Sequence, residues 1–265
     1  MTIPPFALIL TAAGSSSRFL SGGETPKVKK EFLSIDNHTV LYRALEPFYE
    51  LGSLQLVIIT YEKDSLDETV VALEDLIDIN TIPMLFVEGG ESRSSSIKKA
   101  LDKLKEVAPN TQYVATQDGA RPFTSPNLII RTFANATVYG ASVPAIKITD
   151  SIKRINEIGL ITENLNRESI VRVQTPQFFT FKNLLISYNE ADLTSSDDST
   201  IYTAAGFNCS VTFTTEENKK ITYLDDIPSA KEQIEEYVRS RDKGRESAQA
   251  VRRFRELTAL KGETE

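Results

Sequence analysis

Five short apolar, β-branched runs recur along the chain with helix-length segments between most of them: FALIL (6–10), LQLVIIT (54–60), MLFV (84–87), QYVATQD (112–118) and GASVPAI (140–146). The runs are mostly continuous rather than alternating, the pattern of strands covered on both faces. Segments at roughly 39–51, 64–76, 93–105 and 125–137 read as helices. Strands alternating with helices predict right-handed βαβ units and an α/β fold with a mostly parallel sheet; a mixed α+β fold is the alternative. In such a sheet, ligands bind beyond the carboxyl ends of the strands. The loops after the first, third and fourth runs, TAAGSSSRFLSGGETPKVKKEF (11–32), EGGESRSSS (88–96) and QDGARPFTS (117–125), are therefore expected on one rim.

Residues 146–174 interrupt this rhythm. KITDSIKRI and GLITENLN surround a glycine with polar and apolar residues roughly alternating, as in a half-exposed β-ribbon. An isolated hairpin is marginal, so this arm is expected to pack on a second subunit, with a flap over the chain's own site as the alternative. From Ile227 onward, Ser229 and Glu232 form a capping-box pattern. Ile234, Tyr237 and Val238 then make one apolar face, and Val251, Phe254, Leu257 and Leu260 another beyond Gly244. The division expected is one domain over 1–240 and a helical extension over 241–265, which finishes the surface or binds a partner.

At 40% hydrophobic and 25% charged residues the composition is that of a soluble globular protein. A net charge of −7 argues against nucleic acid as the main partner, so a polyanion must be met by local cations. One cysteine, Cys209, and one histidine, His38, leave no His/Cys zinc set and no His-activated nucleophile. The lone cysteine also suggests a reducing compartment. No secretory signal pattern opens the sequence, and no apolar run approaches the ~18 residues that span a bilayer. A cytoplasmic protein without a membrane partner is expected.

The first loop matches neither common phosphate fingerprint. Counting from Gly14, the fifth position after it is Phe19, which fails the Walker pattern, and only Gly14 fits the dinucleotide pattern. Small residues still let backbone approach a ligand. Gly14, Ser15, Ser16 and Ser17 could offer amide N–H groups to a phosphate or base, and Arg18 a bidentate clamp. Lys27, Lys29 and Lys30 add charge. A solvated surface loop explains the same residues equally well. In DGARPF, Asp118 and Arg121 share the rim; Asp118 could support Mg²⁺ or orient a cation, or simply cap the turn and pair with Arg121.

In combination the blocks are specific. AAGSSSR, KKEF, GGESRSSSI, DGARPF, DSIKR, R…TPQFF, SDDSTIYTAAGF and NKKIT occur in this order between residues 12 and 222. The series resembles the 2-C-methyl-D-erythritol 4-phosphate cytidylyltransferases over about the first 240 residues. The resemblance implies a Rossmann-like nucleotidyltransferase sheet, CTP and a sugar-alcohol phosphate as substrates, Mg²⁺ or another divalent cation as cofactor, and a homodimer through the arm. By this resemblance Ala12, Ala13 and Gly14, with Ser15 and Ser16, would lie against the nucleotide, and Gly89, Gly90, Glu91 and Ser96 would read the base. Arg18 and Lys30 would bind the triphosphate; Lys30 is preferred to Lys27 and Lys29 because Lys-Glu-Phe matches the family's Lys-Gln-aromatic block. Asp118 and Arg121 would face the sugar phosphate or the metal. Arg167 and Lys220 would position the attacking phosphate, with Ser151 and Ser196 hydrogen-bonding it. Asp197 and Asp198 would shape the sugar-phosphate pocket or cap the following helix. This sequence departs from the family pattern at Ser16, where a glycine is usual, and at Ser151 and Ser196, where threonines are.

The chemistry makes sense independently. A phosphate monoester has a second pKa near ~6, so it is already an anionic nucleophile at neutral pH and needs no general base. Two rival functions remain. A ribitol 5-phosphate cytidylyltransferase would share the fold and first loop, but DGARP and SDDST favour methylerythritol phosphate. A non-catalytic nucleotide-binding homologue would act through its arm and tail, but Arg18, Lys30, Arg167 and Lys220 are all retained. An NAD-dependent dehydrogenase lacks the glycine fingerprint.

Overall fold

The computed structural model describes residues 4–14, 29–79, 81–195, 197–215, 218–223, 225–227, 230, 232 and 235. The expected runs are strands: β1 (Phe6–Ala12), β2 (Leu54–Tyr61), β3 (Met84–Glu88), β4 (Tyr113–Asp118) and β5 (Ala141–Lys147). β6 (Ile152–Ile155) and β7 (Ile161–Leu165) form a separate antiparallel ribbon, and β8 (Val171–Val173), β9 (Gln177–Thr180) and β10 (Ser210–Phe213) return to the main sheet. Its order is β10-β5-β9-β4-β1-β2-β3, with β8 paired to β5. β4, β1, β2 and β3 are mutually parallel, as are β10 and β5, and β9 runs antiparallel between β4 and β5. The sheet is thus α/β and mostly parallel, with the arm projecting where residues 146–174 predicted it.

Continuous apolar runs are explained by cover on both faces. Along β1, Phe6, Leu8 and Leu10 enter one core cluster while Ala7 and Ile9 enter another. The first cluster is closed by α1 (Val40–Tyr49) and by Ile129, Phe133 and Ala136 of α5 (Pro126–Tyr139). Phe6 makes edge contacts there with Phe133 and Phe178 at 5.2 and 5.4 Å. The second cluster is closed by Ile97, Ala100, Leu101 and Leu104 of α4 (Arg93–Val107), by α6 (Phe181–Glu190) and by α7 (Asp198–Ala204). Each fully buried large side chain contributes about 1.5–3 kcal/mol, so the two clusters hold the helices on the sheet.

Helix ends follow local chemistry. Ser125 caps α5 through the Leu128 N–H, Pro126 opens it and Gly140 closes it at φ +87°. Ser92 and Ser95 form a reciprocal capping box on α4. The single helix expected at 64–76 is instead two, α2 (Leu66–Val71) and α3 (Glu74–Ile79). The break falls at Ala72 and Leu73, both buried in the core. The tail lies almost wholly outside the described residues, Ser229 included; of those described, Ile227 and Ala230 pack with Ile35, Val40 and Ile221.

Candidate active site

The loops after β1, β3 and β4 meet. The Gly119 N–H donates to the Thr11 carbonyl at 2.9 Å, and a Cβ on Gly119 would stand 2.7 Å from that oxygen, so the loop after β4 lies on the end of β1. The Gly89 N–H donates to the Tyr61 carbonyl at 2.8 Å. A Cβ on Gly89 would lie 2.3 Å from the Ala13 Cβ and 2.9 Å from the Ser96 Oγ. Ser96 Oγ accepts from the Gly90 N–H at 3.0 Å and donates to the Ser92 carbonyl at 2.9 Å. Ala12, Ala13, Gly89, Gly90 and Ser96 are therefore assembled at one place, with Gly14 and Glu91 exposed beside them. Ser15, Ser16 and Arg18 lie outside the described residues, as do Lys27 and Ser196.

Asp118, at the end of β4, is the hub of the opposite side. Its Oδ1 accepts from Arg93 Nε at 3.1 Å, and its Oδ2 from Lys220 Nζ at 3.0 Å and Arg121 Nε at 3.3 Å. Burial alone would raise the Asp118 carboxyl. The charges of Arg93, Lys220 and Arg121, with the Lys220 hydrogen bond, overcome that and hold it well below the usual carboxylate range. Its backbone N–H donates to Thr175 Oγ1 at 3.1 Å, which in turn donates to Gln117 Oε1 at 2.8 Å. Lys220 is brought here by its neighbours: Arg121 Nη1 donates to the Asn218 carbonyl at 2.6 Å, and the Ile221 N–H to the Ala120 carbonyl at 2.8 Å. Asn218 Nδ2 binds Thr124 Oγ1 and the Thr175 carbonyl, both at 2.8 Å.

Other expected residues have partners of their own. Lys30 sits in a 3₁₀ turn (Lys30–Phe32), nearly buried, with Nζ 3.8 Å from Glu31, while Lys29 pairs with Glu62. Arg167 opens a second 3₁₀ turn at the base of the arm; it donates to the Thr149 carbonyl and lies 3.7 Å from Glu168. Ser151 is exposed nearby. Among the described residues, no hydrogen bond or ion pair joins Arg167 or Ser151 to Asp118. Of the two expectations for Asp197, capping is the one observed: it accepts from the Thr200 N–H at 3.2 Å and from Gln177 Nε2 at 2.6 Å. His38 stacks on Tyr42 at 4.0 Å and approaches Arg43 at 3.2 Å, beside a buried ion-pair group rather than the rim.

A directly protein-held metal fits poorly. Both Asp118 oxygens face cations, and among the described residues no three His, Cys, Asp or Glu side chains cluster to hold an ion.

One residue of this site, Arg93, has no role in the sequence reading; its partner is Asp198, expected there to shape the pocket or cap the helix together with Asp197. Arg93 Nη1 and Nη2 reach the two oxygens of Asp198 at 2.8 and 2.9 Å. Asp198 is fully buried and accepts further bonds from Thr116 Oγ1, at 2.6 Å, and from the Tyr188 hydroxyl. A signal existed: Arg93 begins α4, where a cation opposes the helix dipole and needs an acidic partner.

A model of the family described as 2-C-methyl-D-erythritol 4-phosphate cytidylyltransferase (IspD) matches residues 6–236. The chain belongs to that family. The 2-C-methyl-D-erythritol 4-phosphate cytidylyltransferase of Alkaliphilus metalliredigens is 30% identical over 226 residues, covering 83% of this chain and 89% of that one. The enzyme of the same name from Clostridium novyi is 28% identical over 230 residues, covering 86% and 95%. Among solved structures, the 4-diphosphocytidyl-2C-methyl-D-erythritol synthase of Anaerococcus prevotii superposes with a TM-score of 0.71 at 25% identity, covering 88% and 96%. As an IspD family member the chain is a cytidylyltransferase that carries a cytidylyl group from CTP onto 2-C-methyl-D-erythritol 4-phosphate in isoprenoid biosynthesis. Among the described residues, no helix is long and apolar enough to cross a membrane.

Proposed function

We propose that the rim carries this transfer with CTP over the Ala13–Gly89–Ser96 side and the acceptor phosphate on the Asp118 side. The observation that carries the reading is the cluster around Asp118. Arg93, Arg121 and Lys220 against Asp118 and Asp198 leave one net positive charge where a phosphate would dock. Lys220 is the most exposed of the three cations, at 32%, which suits contact with a ligand.

A carboxylate held this far down is a poor proton acceptor. The reaction needs none, because the acceptor is already anionic at neutral pH. Its phosphate oxygen forms the new bond to the α-phosphorus of CTP. The bond from that phosphorus to the bridging oxygen breaks, and pyrophosphate leaves with the electron pair. The enzyme's part is alignment and neutralisation of charge. In this reading Arg18 and Lys30 serve the triphosphate, Lys220, Arg121, Arg167, Ser151 and Ser196 the acceptor phosphate, and Asp197 the shape of the loop beside it. A divalent cation such as Mg²⁺, when bound with the nucleotide, would supply further counter-charge to the triphosphate.

A homodimer through the arm is part of the proposal. Ile155, Ile158, Leu160 and Ile161 of the β6–β7 ribbon are each at least 60% exposed, apolar surface that a second copy would cover. A cytoplasmic setting is proposed with it, since the substrates are multiply charged and the single cysteine forms no intrachain disulfide.

The deciding experiment is pyrophosphate release with CTP and Mg²⁺, comparing 2-C-methyl-D-erythritol 4-phosphate with ribitol 5-phosphate. Release with the first alone is expected. Release with ribitol phosphate alone would overturn the acceptor, and CTP binding without release from either would overturn catalysis.

A further inference from the structure

We propose that Arg93 is a positioning residue for the transfer, fixing Asp118 so that its second oxygen keeps Lys220 and Arg121 directed at the acceptor phosphate. The proposal rests on the reading of Lys220 and Arg121 as phosphate-facing groups.

Arg93 spends all three guanidinium nitrogens on carboxylates: Nη1 and Nη2 on Asp198, and Nε on Asp118. Such a planar fork fixes direction as well as charge, which a lysine ammonium does not. Its anchor is rigid, because Asp198 is fully buried and also takes hydrogen bonds from Thr116 on β4 and Tyr188 on α6. A buried ion pair contributes little stability relative to an apolar replacement, so packing alone gives weak reason for a charge at this position.

The division of Asp118 is the point. Oδ1 is engaged by Arg93, and Oδ2 is shared by Lys220 and Arg121. With Oδ1 vacated, the carboxylate is free to turn and take one of these cations on both oxygens, withdrawing it from the rim. The residues beside Arg93 brace the acceptor side too: Ser92 Oγ donates to the Leu193 carbonyl at 3.2 Å, and Ser94 Oγ to the Ser195 carbonyl. Arg93 thus stands between the loop expected to read the base and the segment leading to Asp197 and Asp198.

The test is a double-mutant cycle on steady-state kinetics with both substrates, using Arg93→Lys, Lys220→Ala and the combination. Arg93→Lys should lower kcat/KM for methylerythritol phosphate about 10- to 100-fold, with the KM for CTP changed less than about threefold. The double variant should lose less than the product of the two single losses, because both changes act through one carboxylate and only Arg121 remains for Arg93 to direct. Asp198→Asn, nearly isosteric, should reproduce the same split between substrates and supplies the result if Arg93→Lys does not fold. Losses that multiply, or an Arg93→Lys protein that melts lower but keeps wild-type kinetics per folded molecule, would overturn the positioning role while leaving the phosphate-facing reading intact. An unimpaired Lys220→Ala would overturn that reading and this inference with it.

Discussion

Ala13 and Gly89 pack so closely that a Cβ on residue 89 would stand 2.3 Å from the Ala13 Cβ, a separation no pair of side chains sustains. The loops after β1 and β3 are in contact here only because residue 89 has no side chain. Gly89→Ala must push Ala13 and Ser96 aside, at a cost of roughly 1–3 kcal/mol for overpacking. The expected result is a KM for CTP raised about tenfold, with the KM for the acceptor and the far-ultraviolet circular dichroism unchanged. An unaltered KM for CTP would remove this contact from the nucleotide site.

Lys30 and Lys29 are neighbours with different surroundings. Lys29 pairs with Glu62, and Lys30 lies beside Glu31 in the 3₁₀ turn. Lys30→Ala is expected to lower turnover by roughly 10²–10³ with the melting temperature nearly kept, the scale of losing an electrostatic stabiliser. Lys29→Ala should cost little. The reverse order, measured by pyrophosphate release, would transfer the role to Lys29; full activity in both would transfer it to Lys27.

Asp118 makes a pH prediction with a definite sign. Its carboxyl is lowered in the folded chain, so its stabilising contribution is complete above the unfolded value near ~4 and is lost as pH falls toward the depressed folded one. The difference in denaturant stability between wild type and Asp118→Asn should be flat between about pH 5 and 8 and shrink below about pH 4. A difference that grew on acidification would contradict the ion-pair cluster.

Arg167 is about half exposed at the base of the arm, with one carbonyl partner in Thr149. Arg167→Ala should leave thermal stability within about 0.5 kcal/mol, as for most surface changes, and raise the KM for methylerythritol phosphate at least tenfold while sparing CTP. Selective loss of CTP binding would show that the assignment is wrong.

The ribbon offers a test of assembly. Ile158 and Leu160 are 79% and 60% exposed, so Ile158→Asp with Leu160→Asp costs the single chain little. Sedimentation should show a dimer for wild type and a monomer for this variant at micromolar concentration. A wild-type monomer would return the arm to the flap reading.

The chain's own order of residues was enough for the skeleton of this protein. Period and length marked β1 to β5, since strands covered by helices carry mostly apolar runs, and Ser125, Pro126 and Gly140 marked both ends of α5 because capping is local chemistry. The family blocks named Asp118 with Arg121 and Lys220 with Arg167; the structure joins Lys220 to Asp118. What sequence could not supply is contact between residues far apart in it. The break between α2 and α3, at Ala72 and Leu73, has no glycine or proline to mark it in the sequence. Arg93 and Asp198 are 105 residues apart, and their pairing exists only because α4 and α7 pack on the same face of the sheet. The split of Asp118 between Arg93 on one oxygen and Arg121 and Lys220 on the other is likewise tertiary: charge balance at a buried carboxylate is set by which cations the fold brings to it.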